Sequence, residues 1–550
     1  MFSRILLCIL CSFQVFADQP TSHAITDRAE NLQVLKRLNE KKLDLLFKLE
    51  SRQQAGLRLI RDQQAAYGLT HEKSQVYSAW DKLKSSQIKH GYPFRLSSDN
   101  GRNYLDFHGL LELDQDIFYN MNGLSIYTGL SVQPIYRQST VDRFWSNHIA
   151  PILSAHLDDK VIFYYYPDFG KQQYRTFDAF IDVNYTRQLS FEAGKQKDLA
   201  SSIESFVDSG QLMVPSFPYM LAPNREIGFF VYGAIGAHRH TGDNGPNDYG
   251  LNDAISYQIG LIEGAADNDS PGIIPTIQPT VLGMPPLPNV SLSNKSIEAR
   301  VFINPFIHDK MFLLQNLGFG VSGSFVDVNN QVNMPAILSL GSNPIFAYEF
   351  NVFANGPRAR IRPQMIWYYD SFGMNADWIS SSQHLNLGAV VQNQSYKQIY
   401  QQNKAGQIQL AYNVTHEPFT MSLMKPNNNF HPFEAGSYGA LQLIGRVSNL
   451  IIDPSSFEPI VINGFNDYIS SSKTSVQQAL GWTVGLHRYW NDYFSVMMEY
   501  DQSSYVGGCS TGAIDPLTNP NPGCLTGTPG GNVINRPSEK VFMQRLKLIF

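Results

Sequence analysis

Cysteine is scarce, with four in 550 residues. Cys8 and Cys11 fall in a leading apolar run. Cys509 and Cys524 remain, in the Gly/Pro/Thr-rich stretch 507–527, and read as one disulfide closing a loop in an oxidising compartment. A metal pair there lacks a nearby His or third thiol. Charge is also low, at 16%. No later stretch approaches the roughly 20 apolar residues a membrane helix needs, which excludes helical spans but says nothing of β-strands. Signatures of chemistry are absent as well. There is no nucleophile elbow, no phosphate loop ending in Lys-Ser/Thr and no His-Glu-x-x-His. His238 and His240 lack a third ligand at usual spacing. Neither "DNGPND" nor "DNDSPG" has the ligand order of an EF-hand. The sequence therefore predicts no catalytic residue, no metal and no cofactor.

What is present is ordered along the chain. Residues 1–17 combine Arg4, an apolar run to Phe16 and a small Ala17, the pattern of a secretory signal peptide. Residues 18–64 form an amphipathic helical segment. Leu32, Leu35, Leu38, Leu46 and Leu49 recur at helical spacing, which suits a coiled coil or a single docked helix equally. Residues 65–104 read as a linker.

From residue 105 the hydrophobic period becomes two. With 12% aromatics and 41 Gly, this suits a large antiparallel β structure. Sixteen strands are expected, over 107–119, 145–157, 160–167, 174–186, 188–197, 225–237, 254–264, 295–305, 311–326, 345–354, 358–370, 406–416, 437–452, 476–490, 493–505 and 539–550. Short turns ("LDDK", "TRQLS", "NPFIHDK", "NGP", "YWND") alternate with long loops (198–224, 265–294, 371–405, 453–475, 506–538), as in outer-membrane barrels. The connections 238–253 and 417–436 are long for their side. The last strand, "KVFMQRLKLIF", ends on an aromatic residue and has an apolar row, as barrel assembly signals do. The fold class is all-β: a sixteen-stranded transmembrane barrel over 105–550, with the helical segment in the periplasm.

Arg358, Arg360 and Arg362 recur at spacing two, so one strand face is cationic while Ile361, Pro363, Met365 and Trp367 make the other apolar. If apolar faces meet lipid, the arginines face the lumen. The same parity places Arg300, Arg446, Arg545 and Lys547 inside. Guanidinium groups stay charged and match phosphate or carboxylate. Strand-one acids (Asp106, Glu112, Asp114, Asp116) face inward too. From residue 101 there are 27 Lys and Arg against 37 Asp and Glu, which argues against a strongly cationic mouth.

The segment 191–233 resembles the phosphate-selective porin O/P family. Gly194, Lys195 and Lys197 match its Gly-Lys-x-Lys strand end. Ala222, Pro223, Arg225, Ile227 and Gly228 match its Ala-Pro-x-Arg-x-Ile/Leu-Gly opening. "LIGRVSNL" (443–450) is similar to the family's Arg-Tyr-Ser strand, with Val447 for Tyr. The match departs after Lys197, where Asp198-Leu199-Ala200 replaces Glu/Pro-Pro-Phe. The resemblance implies a trimeric porin whose third external loop folds inward, with anions passing inward arginines and lysines near the constriction. The anion-binding candidates are thus Lys195, Lys197, Arg225, Arg300, Arg358, Arg360, Arg362, Arg446, Arg545 and Lys547.

The expected function is passive diffusion of small hydrophilic solutes through the outer membrane, with small inorganic or organic anions, phosphate among them, as the narrower reading. A general or cation-preferring porin is the alternative, and a loop-mediated adhesin the alternative of another class. Expected partners are outer-membrane lipid, lipopolysaccharide and two further copies, with no nucleic acid.

Overall fold

The computed structural model describes residues 94–549 apart from 99–101, 120–124, 127–135, 138–141, 158–159, 173, 198–201, 223–224, 239–252, 264–294, 308–312, 332–333, 350–351, 388–396, 422, 433–436, 463–464 and 512–531. The signal peptide, the helical segment and Cys524 lie outside the described residues.

Sixteen strands pair antiparallel with their chain neighbours: β1 (Tyr104–Phe118), β2 (Arg143–Leu157), β3 (Val161–Asp168), β4 (Arg175–Val183), β5 (Ser190–Lys197), β6 (Arg225–His238), β7 (Asp253–Ile262), β8 (Ser296–Ile303), β9 (Gly318–Gln331), β10 (Val352–Tyr369), β11 (Phe372–Leu387), β12 (Lys397–Asn413), β13 (Ala440–Ile451), β14 (Val476–Tyr489), β15 (Phe494–Thr511) and β16 (Glu539–Ile549). β16 also pairs with β1, from Leu110↔Ile549 to Phe118↔Val541, so the sheet closes on itself. Closure leaves no unpaired edge in lipid. Alternation does the sorting. On β14 the outward row Leu480, Trp482, Val484 and Leu486 is exposed and apolar, while Ala479, Gly481, Thr483, Gly485 and His487 face in.

Several boundaries differ from the sequence expectation. Residues 345–354 and 358–370 are not two strands joined at "NGP". Residues 352–369 form one strand, β10, while Pro344–Phe346 belongs to a separate small hairpin, and Gly356 (φ 111°) sits at a register shift between Ala354 and Arg358, so the chain bulges there without reversing. The expected loop 371–405 contains β11 and the start of β12. Asp370 (φ 49°) and Ser371 make the two-residue turn that begins β11. The strand expected at 311–326 runs from Gly318 to Gln331. The linker also ends early: Phe94–Ser97 pairs with β1, and Arg95 grips Asp106 at 2.6 Å.

Wall height varies. β3, β5 and β8 have eight residues each, whereas β10 and β15 have 18.

Candidate functional site

The barrel interior holds the charged rows, and three connections enter it. Residues 202–222 cross from β5 to the far wall. Ser202 Oγ donates to Asp377 Oδ2 on β11 (2.6 Å), and Ile203 N–H donates to the same oxygen (3.2 Å). Gln409 Nε2 donates to the Gly210 carbonyl (2.7 Å), Met213 N–H to Glu499 Oε1 (2.7 Å), and Phe217 N–H to Ser448 Oγ (3.1 Å). Segment 334–349 forms a small hairpin, Ile337–Leu338 with Pro344–Phe346. It is held by Glu539, which accepts from Ser339, Gly341 and Asn343 at 2.6–2.8 Å. From the end of the barrel that carries its termini, residues 414–432 fold inward, and Phe419 N–H donates to Asp370 O (2.6 Å). The first and third insertions meet where Asp208 N–H donates to the Met421 carbonyl (2.9 Å).

Inward glycines explain how these insertions fit. A Cβ at Gly485 would touch Leu212, one at Gly481 would press on Leu340 at 2.5 Å, and one at Gly373 would lie 2.3 Å from the Phe419 ring. Each insertion therefore seats one apolar side chain in a notch that a glycine leaves. The result is apolar clustering inside the lumen: Val214, Phe217 and Leu221 pack with Leu340, Phe346 and inward residues of β11–β16.

The predicted cations can now be placed. Arg300, Arg358, Arg362 and Arg446 face inward but are only 4%, 4%, 1% and 3% exposed. Arg362 donates to the Pro218 carbonyl (3.1 Å) and faces Asp377 (3.7 Å). Arg446 pairs with Glu204 of the first insertion (3.2 Å). Arg300 stacks on Phe206, 4.5 Å from its centroid, and Arg358 bonds Gln331. The arginine row thus faces the interior as parity requires, and its members Arg362 and Arg446 grip residues 202–222 instead of lining water. Arg360 keeps partial exposure.

The roots of the insertion differ from one another. Lys197 Nζ donates to the Ser205 carbonyl (2.7 Å), and Arg225 pairs with Asp178 (3.0 Å) over the Phe177 ring (4.4 Å). Lys195 lies in register with Ile227, an outward, exposed residue. On β16 Arg545 makes a forked bond to Asp114 (2.7 and 2.7 Å) and reaches Glu112 (3.2 Å), with Lys547 at 3.4 Å from Glu112. The inward acids of β1 that the sequence singled out thus neutralise the cations of β16. The glycine seats went unread, although their inward parity was visible.

Glu204 gives the interior a pH dependence. Burial pushes its carboxyl above the usual carboxylate range, against the pull of Arg446. Its raised folded value favours the folded state below the free-chain value, and this contribution fades as pH rises through the folded value. On acidification Glu204 takes its proton before solvated carboxylates do, and the lumen gains one positive charge. Reversal potentials in KCl should shift toward chloride as pH falls below neutral. Glu204→Gln should show the shifted value already at neutral pH and lose the titration.

A closed β-barrel with an apolar exterior and charged rows inside has the build of an outer-membrane barrel. Solved structures with a similar architecture are outer-membrane proteins. OmpT of Vibrio cholerae, folded in vitro, shares 10% identity at a TM-score of 0.42, over 83% of this chain and 99% of that one. The outer membrane channel DcaP of Acinetobacter baumannii shares 10% at 0.43, over 83% and 99%. OmpF of Salmonella typhi, in complex with daunomycin, shares 10% at 0.39, over 83% and 100%. No family model matches the chain, and no curated protein matches it.

Proposed function

We propose that the chain is an outer-membrane channel for passive diffusion of small hydrophilic solutes, performing no chemistry. The observation that carries this is the interior itself: Asp106, Glu112, Asp114 and Asp116 of β1 face inward beside Arg143 of β2 and Arg545 and Lys547 of β16, where an inert wall needs only small or apolar residues. The first two insertions bond to β11–β16, and the charged residues of β1, β2 and β16 are the proposed lining of the solute route. Liposome swelling tests it. Proteoliposomes should admit small sugars, and an absence of swelling would sink the channel reading.

Anion preference is the narrower reading. Arg360, partly exposed between two nearly dry arginines, is its best carrier on β10, and Arg360→Ala should lower chloride preference in a KCl gradient. Phosphate selectivity and membership of the O/P family rest on the 191–233 motifs alone. The net acidity of the barrel region supports the cation-preferring alternative. The apolar clusters inside the lumen favour a second reading, a plugged surface-binding barrel, which the swelling assay separates.

The same reading includes a signal peptide, a periplasmic N-terminal segment and a Cys509–Cys524 bridge; Cys509 is disulfide-bonded. It also includes lipid and lipopolysaccharide contacts and a homotrimer. Eight tilted residues at ~3.3 Å each cover only ~19 Å, less than the ~25 Å apolar band of such barrels. The low wall at β3–β5 is where copies would cover one another.

A further inference from the structure

We propose that Lys171, carried into the lumen by the short connection between β3 and β4, is an oxyanion-binding residue for carboxylate or phosphate groups, flanked by Arg143 and Arg175. It was not among the cations the sequence pointed to, and it lies across the barrel from the row on β10.

The connection is built to present it. Phe169 N–H donates to the Ile149 carbonyl (2.9 Å), tying the turn to β2. At Gly170 a Cβ would lie 2.1 Å from the Asn147 carbonyl oxygen, so only glycine lets the turn press this close. Lys171 itself adopts φ 54°, a left-handed conformation that a non-glycine residue seldom takes. Its ammonium lies 4.6 Å from the centroid of Trp145. Trp145 is in register with the inward Asp114, so the amine stands on the lumen side.

The charges around it are already allotted. Arg143 holds Asp116 (2.6 Å), Arg175 faces Asp168 (3.5 Å), and Arg545 takes both oxygens of Asp114. Lys171 has no ion pair among the described residues. Arg143 and Arg175 are 33% and 28% exposed at their side chains, several times more than the dry arginines of β10 and β13. Lys171 is exposed as well, and loss of hydration, then Arg175, Arg545 and Arg143, lowers its amine to about 8 against the pull of Asp114. A cation held among cations and next to water, whose neighbouring carboxylate Asp114 is already taken by Arg545, is completed by an anion from solution. A phosphate or carboxylate there can accept from the Lys171 ammonium while the arginine forks flank it.

The site rests on the channel reading only for its effect on ion flow, so the test has two arms. In the first, the full chain in detergent is acylated at pH 8 and the modified lysines are located by peptide mass spectrometry. Lys171 should react faster than Lys295, which pairs with Glu263 at 2.8 Å. Inorganic phosphate at ten times its dissociation constant should slow that reaction about elevenfold. Equal rates with and without phosphate or acetate overturn the proposal. In the second, anion selectivity in KCl should fall as pH rises through about 8. Lys171→Gln should sit at the low value throughout, and Lys171→Arg should hold the high value to higher pH. Phosphate protection without liposome swelling sinks the channel and keeps the site; swelling without protection does the reverse.

Discussion

Asp377→Ala should give the largest rise in single-channel conductance of any one substitution in the barrel. One carboxylate oxygen accepts from Ser202 and Ile203 and faces Arg362. Its removal deletes two bonds to a charged acceptor, about 1.5–3 kcal/mol each. It also leaves the nearly dry Arg362 without its facing carboxylate, a change that costs about 3–5 kcal/mol. Residues 202–222 then lose their hold on β11, while the barrel ladder, which does not involve this side chain, persists. Planar-bilayer recording should show larger and noisier steps, and protease should cut within 198–224 where the wild type resists. Unchanged steps with an uncut loop would mean that the remaining bonds to β12–β15 suffice.

Phe419→Ala is the second. The ring fills the notch over Gly373 and belongs to the cluster around Ile203, Phe206 and Leu212. Truncating a buried Phe costs about 3–5 kcal/mol. Conductance should rise, by unseating residues 414–432 at the end carrying the termini. The two substitutions should not add, because Asp208 and Met421 join the two insertions through a backbone bond. A double variant no more open than Asp377→Ala would confirm that the insertions move as one. Strict additivity would show that the Asp208–Met421 bond transmits nothing.

How much of this the sequence reveals depends on what each residue answers to. β14 and β16 are legible because lipid on one side and polar interior on the other impose period two, and nothing else competes. The arginine spacing on β10 is legible for the same reason. β11 is not: its inward row, Gly373, Asn375, Asp377 and Ile379, gives way to Ser380, Ser381 and Ser382, which read as loop. Strand identity there comes from the β10 and β12 ladders. The misread bulge at Gly356 and the missed β11 cancelled, so the count of sixteen survived two local errors. Which arginine is dry could not be read, because Arg362 and Arg446 are covered by a segment more than 140 residues away in sequence. Period two reports the face, and tertiary insertion decides the solvent.

The glycine seats also set an order of assembly. Met213 reaches Glu499 across 286 residues, and the notches for Leu212 and Leu340 both lie on β14. Neither insertion can dock until the C-terminal third of the chain has been made and paired. Contacts of such separation form late and slowly. The nascent barrel must therefore close around an interior still full of water and dry out afterwards.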